Sequence, residues 1–267
     1  MSVNQTPAFV KHIRHTIDAF LGGKLSICQP EKGFRAGVDS VLLGASVPQT
    51  ARSLLDLGAG SGVASLVAMT HNADLAATLA EIEPDIAALA EHNIRENGFG
   101  TRSRVVTVDV TAGGAARKAA GIEPDGYDVV IANPPYFDNG TLASQADRAR
   151  ARHMQTEDLE LWVKAAVSSA GGKGEIIFIH TAQALPALMA AFDGRVGDIG
   201  IMPIAPRPGM AASRVIVGGR KGSRAPISLY PPLALHGETG HGFAPEAKAL
   251  FLGEARFDWR NATQAPK

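Results

Sequence analysis

Cysteine is almost absent from this chain of 267 residues, with Cys28 the sole example. A single thiol makes neither an intramolecular disulfide nor a cysteine zinc cluster, and a reducing compartment suits it. Net charge is absent as well. Lys+Arg and Asp+Glu both number 26, so no whole-molecule field draws in a polyanion, and any attraction to phosphate must be local. No apolar run reaches membrane-spanning length, and the opening MSVNQTPAFVKHIRHTIDAF lacks the apolar core of a signal peptide. A soluble, cytoplasmic protein with no membrane partner is expected. The histidines show no metal-ligand spacing, no Ser-His-Asp arrangement can be argued, and no internal repeat is visible.

What is present is enough apolar material, 45 % of residues, to bury a substantial core. Phe9, Ile13, Ile17, Phe20 and Leu21 fall at helical spacing and predict an amphipathic helix over 7–21, ended by Gly22-Gly23. LSICQP reads as a strand, and Asp39 caps a short helix that Pro48 stops. From Ser53 the pattern alternates. SLLDLG, ATLAEI, RVVTV, YDVVIA and GEIIFIH are apolar strands separated by helical stretches. Two further strands, near Asp198–Ile204 and Arg214–Gly218, have no helix between them and predict an antiparallel hairpin at the sheet edge. The fold class is therefore α/β, a doubly wound parallel sheet covered on both faces. Three parts are expected: an N-terminal helix and strand extension over 1–50, the main domain over 51–222, and an appendage over 223–267 whose last residues fray.

The first strand of the alternating series runs into GAGSG and then a helix, a turn at the strand's carboxyl end where open α/β sheets bind ligands. Counting from Gly58, the last slot of a dinucleotide fingerprint holds Val63, and no lysine follows as in a phosphate-binding loop. The carriers are Asp56, Gly58, Gly60 and Gly62. The second strand ends in Glu81, a carboxylate able to accept both ribose hydroxyls of an adenosine, with Glu83 close enough to compete. The third ends in Asp109, which can accept from an adenine amine while Val110 offers a backbone N–H.

Asn133-Pro134-Pro135-Tyr136 directly follows the fourth strand. An aromatic amine is a poor nucleophile because its lone pair is delocalised into the ring. The Asn133 side-chain oxygen and the Pro134 carbonyl can each accept one of its N–H bonds. Two prolines fix the backbone so that both acceptors converge, and Tyr136 offers a face for base stacking. Basic residues gather in two stretches. Arg148, Arg150, Arg152 and His153 follow the tetrapeptide. Arg207, Arg214, Arg220, Lys221 and Arg224 lie in a run from Ile199 to Gly237 that holds no Asp or Glu. Both are expected to flank the pocket and hold phosphates beside the target base.

DLGAGSG followed by NPPY resembles the class I S-adenosylmethionine-dependent amino-methyltransferases. FRAGVDSVLLGA over 34–45 and ADRARARH over 146–153 are similar to segments of the bacterial adenine-N6 methyltransferases that modify the base beside the anticodon of a valine tRNA. The resemblance covers roughly residues 20–220. It implies a Rossmann-like seven-stranded sheet in the order 3-2-1-4-5-7-6 with strand seven antiparallel. It also implies S-adenosylmethionine as cofactor, Gly37 and Asp39 lining the cofactor's methionine end, and RNA, a tRNA foremost, as partner. Ser40 departs from the glycine frequent there, and Glu83 from the aspartate. A glutamine methyltransferase of release factors, an rRNA guanine-amine methyltransferase and a non-catalytic RNA- or cofactor-binding module are the alternatives.

Overall fold

The computed structural model describes residues 14–135 and 145–260, with side chains described from 157 onward in the second segment. The chain opens with a hairpin of β1 (His15–Phe20) and β2 (Leu25–Pro30), antiparallel from His15 opposite Pro30 to Phe20 opposite Leu25. The helix expected over 7–21 is thus overturned across 15–20. Leu21, Gly22 and Gly23 all take positive φ, so the two glycines turn a hairpin rather than end a helix. Helical spacing of a few apolar residues is weak evidence against a neighbouring strand that can pair at once. The part of the expected helix before residue 14 lies outside the described residues.

After α1 (Val38–Ala45) the alternation is regular. It runs β3 (Ser53–Leu57), α2 (Val63–His71), β4 (Ala76–Glu81), α3 (Pro84–Glu96), β5 (Ser103–Thr107), α4 (Gly114–Ala119) and β6 (Tyr127–Ala132). It continues through α5 (Gln145–Ser169), β7 (Ala170–Thr181), α6 (Leu185–Phe192), β8 (Val196–Ala205) and β9 (Arg214–Lys221). The sheet order is β8-β9-β7-β6-β3-β4-β5, with β9 antiparallel to both its neighbours and the rest parallel. In the order of the alternating strands this is 3-2-1-4-5-7-6, the expected topology. The hairpin is not the edge, however. Two-residue strands β10 (Ser228–Leu229) and β11 (Leu233–Ala234) pair parallel to β8 beyond it. Segments so short and proline-flanked carry no strand signature of their own. α7 (Pro245–Phe251) follows.

Two apolar layers form because successive strand residues face opposite sides. Leu54, Val129, Ile131, Ile177, Ile179 and Ile216 pack with α1, α2, α3 and the hairpin, joined by Leu250, Phe257 and Trp259 from the C-terminal stretch. Leu55, Leu57, Val130, Ile176, Phe178 and Val217 pack with α5 and α6. Phe178 meets Phe192 of α6 edge to face at 5.8 Å.

α1 and α2 approach closely enough that only glycine fits at position 44. A Cβ there would stand 2.2 Å from the Ala64 carbonyl oxygen and 2.8 Å from the Val67 Cβ. Because the obstacle is backbone, Gly44→Ala should cost about 1–3 kcal/mol of stability or more, seen as a lowered urea midpoint with an unchanged slope.

Candidate functional site at the carboxyl edge of the sheet

Register sets the geometry. Leu57 lies level with Ala80 on one side and with Ala132 on the other, and Glu81 lies level with Thr107. The residues that leave β3, β4, β5 and β6 therefore emerge side by side. They are the glycine loop after Leu57, Glu81, Asp109 and Asn133.

The loop is built from left-handed backbone. Gly58, Gly60 and Gly62 have φ of 66°, 56° and 88°. Two of the three are closed in. A Cβ on Gly58 would lie 2.5 Å from Cη2 of Trp162, and one on Gly62 would lie 2.9 Å from Leu79 Cδ2. Gly60 differs: nothing stands within 4 Å of the position its Cβ would take. The loop is thus packed from below by Trp162 and Leu79 and open at Gly60.

Glu81 is buried and engaged by the same loop. One carboxylate oxygen accepts the Gly60 N–H at 2.8 Å. The other accepts the Ile82 and Glu83 amides at 2.8 and 3.0 Å. Glu83 itself is exposed at the start of α3. Of the two competing acids, Glu81 is the one held against the open loop. Asp109 is exposed, and its Oδ1 accepts from the Thr111 amide and hydroxyl at 2.8 and 2.6 Å. Val110 is buried beside it, and its carbonyl accepts from the Arg117 guanidinium.

Asp56 sits beneath the loop, 2 % exposed, and accepts the Ser65 hydroxyl of α2 at 2.8 Å. Burial pushes its carboxyl up to about 7, opposed by the Ser65 hydrogen bonds and reinforced by the Glu81 charge. Asn133 is half-buried, Pro134 buried and Pro135 exposed at the end of β6. Tyr136 lies outside the described residues. Gly37 precedes α1 and accepts the Val41 amide, and a Cβ there would meet nothing within 4 Å. Asp39, on the first turn of α1, is ion-paired with Arg214 of β9 at 2.9 Å.

The basic residues do not gather at this edge. β9 runs antiparallel, with Arg214 level with Thr181 at the carboxyl edge and Arg220 level with Glu175. The strand from Arg214 to Lys221 spans roughly 23 Å. Arg220, Lys221 and Arg224 thus stand at the opposite edge from Asn133, which corrects the expectation that they flank the pocket. They also meet acids that the sequence stretch itself lacks. Arg220 pairs with Asp198 at 3.5 Å, and Lys221 pairs with Asp125 and donates to the Ala170 carbonyl. Arg207 is occupied by the Gly237 and Gly240 carbonyls. The backbone of Arg148, Arg150 and Arg152 belongs to α5, and their side chains lie outside the described residues.

Two residues at the edge carry no distinguishing signal in the sequence. Arg214 is one cation in a basic run, and nothing local indicates that α1 supplies its partner. His180, fully buried on β7, accepts the Thr181 amide at Nδ1 at 2.8 Å. Burial, together with the Arg214 charge, lowers it to about 4, and the Asp39 charge opposes this.

Residues 36–164 match the family model for the methyltransferase small domain. A crystal structure of an Agrobacterium tumefaciens protein described as a predicted O-methyltransferase is 31 % identical. It superposes with a TM-score of 0.70 over 82 % of this chain and 97 % of that one. The chain belongs to the small-domain methyltransferase family. Among curated relatives, a tRNA1(Val) (adenine(37)-N6)-methyltransferase of Shewanella sp. strain W3-18-1 is 35 % identical over 45 % of this chain and 49 % of its own. A protein of the same name from Flavobacteriaceae bacterium strain 3519-10 is 31 % identical over 51 % of this chain and 56 % of its own. The chain spans about half the length of these curated relatives. The fold also matches that of a Thermus thermophilus 16S rRNA N2 G1207 methyltransferase, at 15 % identity and a TM-score of 0.52. Among the described residues no helix is long and apolar enough to cross a membrane.

The Asp56 carboxyl is expected to make the stability of this protein depend on pH. An exposed aspartate loses its proton near pH 4, whereas Asp56 keeps its own to about 7 in the fold. The folded state binds the extra proton across that window. Its contribution to stability is whole below about pH 4 and is lost as pH rises to about 7. Asp56→Asn keeps an acceptor for Ser65 and removes the titration. The difference in thermal midpoint between the Asp56→Asn variant and the unaltered protein should grow with pH across this window and then level.

Proposed function

We propose that this protein transfers the methyl group of S-adenosylmethionine to the exocyclic amine of an adenine in RNA, in the anticodon loop of a tRNA. The observation that carries the reading is the placement of Asn133-Pro134-Pro135 at the end of β6, level with the glycine loop at the end of β3. The residues present fit the cofactor. The space at Gly60 is one that a Cβ would fill, and the Glu81 carboxylate borders it. Glu81 would hold the ribose hydroxyls and Asp109 with Val110 the adenine, while Gly37 and Asp39 would line the methionine end. When bound, the cofactor supplies a methyl on a positively charged sulfur, a good electrophile.

The chain's own task is to hold the amine. Asn133 and the Pro134 carbonyl accept its two N–H bonds, so the lone pair is left to point at the methyl carbon. Pro134 and Pro135 lock the φ angles that keep the acceptors convergent. No strong base is needed, because positioning supplies much of the rate and the proton leaves after the charge has formed on nitrogen. A hydroxyl acceptor would need a base to make it nucleophilic, and for this reason an amine is preferred over an oxygen. The base must leave its stack, which loop bases do most cheaply, so RNA loops are favoured over duplex DNA. The tRNA relatives support the same choice. The surface for phosphates is assigned to Arg148, Arg150 and Arg152 on α5, which follows the tetrapeptide in the chain.

Gly60→Val should abolish calorimetric binding of S-adenosylmethionine, and unchanged affinity would count decisively against the site. Asn133→Ala should leave that binding intact and lower turnover about 100–1,000-fold, since an acceptor used mainly in the transition state is worth about 2.7–4 kcal/mol. Labelled cofactor should mark adenine in total tRNA. Label found only in a release-factor glutamine would transfer the reading to protein methylation. Charge reversal of Arg148 with Arg152 should weaken RNA binding and its salt dependence, whereas reversal of Arg220 with Lys221 should not.

A further inference from the structure

Residues 31–37 link the end of β2 to the start of α1. β2 is held against α3 by Asn93, which accepts the Cys28 amide at 2.8 Å and donates to its carbonyl at 2.9 Å. Asn97 makes the same pair of bonds with Ser26. α3 starts at the carboxyl edge, so Pro30 points toward that edge above β4 and β5. By Asp39 the chain has reached Arg214 of β9. The segment folds back on the end of β2, where Arg35 reaches the Pro30 carbonyl at 2.8 Å and Asp18 at 2.5 Å, and Gln29 accepts the Ala36 amide at 2.7 Å. Three residues beyond Ala36, the first turn of α1 is held to β9 by the Asp39–Arg214 pair.

The strand parity places this pair on the productive side. Leu54, Ile131 and Ile216 face the α1–α3 layer, so Asp56, Asn133 and Arg214, two residues away along the same strands or just past them, share that face. Asp39 approaches from α1 on the same face. The pair is partly buried, with side-chain exposure of 21 % for Asp39 and 33 % for Arg214, which strengthens a charge-assisted hydrogen bond relative to one in open water.

We infer that Arg214 is a positioning residue for the cofactor's amino-acid end: its guanidinium fixes the Asp39 carboxylate, and with it the first turn of α1, at the carboxyl edge of the sheet. The inference rests on the cofactor reading above. Asp39 lies on the first turn of an eight-residue helix, and its Oδ2 accepts from the Arg214 guanidinium at 2.9 Å. An Arg214 that merely stabilised the fold would act on every ligand alike. An Arg214 that orients Asp39 acts only on ligands that carry the charged amino-acid end.

The test compares two ligands by calorimetry on the full chain. S-adenosylhomocysteine has the amino-acid end, and 5′-methylthioadenosine has the same adenosine without it. Arg214→Gln should weaken S-adenosylhomocysteine about 10-fold or more and leave 5′-methylthioadenosine unchanged, and Arg214→Lys should restore most of the loss. Equal losses for the two ligands, or no loss for either, would overturn the inference. Absence of S-adenosylhomocysteine binding by the unaltered protein would overturn the cofactor reading, and this inference with it.

Discussion

The parallel pairing of β3 with both β4 and β6 puts Leu57 level with Ala80 and Ala132, so three chain segments leave the sheet at one height. A shift of one residue in either ladder would turn Asp56, Glu81 or Asn133 toward the opposite layer. The apolar residues around them make such a shift costly. Leu55, Leu57, Val130 and Ala132 fill the layer under α5 and α6, and Leu54, Val129 and Ile131 fill the other. Core packing therefore fixes where the polar groups of the site can be.

Given that register, the polar groups hold one another. Glu81 takes three amides, one from the glycine loop and two from the start of α3. Asp56 braces α2 through Ser65, and Trp162 and Leu79 leave no room for side chains at Gly58 and Gly62. The result is a loop that is rigid below and open above, suited to a ligand that must be approached by backbone. The methyl-transfer reading asks little more of the protein than this, two acceptors for an amine and a water-poor cleft, because the electrophile is activated on arrival.

Charge is handled in three dimensions rather than along the chain. The stretch from Ile199 to Gly237 has no acidic residue, yet its cations are met by Asp39, Asp198 and Asp125 from α1, the start of β8 and the loop before β6. A strand that spans the sheet carries its first and last residues to opposite edges. Consecutive cations on β9 therefore serve different places, and of those on this strand only Arg214 reaches the side where the glycine loop opens.

Motif and period were legible without coordinates. The apolar runs from Ser53 to Thr181, the glycine loop and the NPPY tetrapeptide specify a parallel sheet with a ligand site at its carboxyl edge. Each of these depends on residues close together in the chain: a two-residue or 3.6-residue period, a turn that needs positive φ, a rigid diproline. The resemblance of DLGAGSG and NPPY to amino-methyltransferases added the strand order, which local pattern does not carry. Tertiary structure decided what depends on distant partners. His15–Phe20 became a strand because β2 was there to pair with it. β10 and β11 became strands because β8 offered an open edge. Glu81 rather than Glu83 meets the loop because the register of β4 puts it there, and Arg214 meets Asp39 across 175 positions because the antiparallel turn of β9 returns it to the carboxyl edge. Pairings of this kind close long loops of chain, and no local preference in the sequence encodes their outcome.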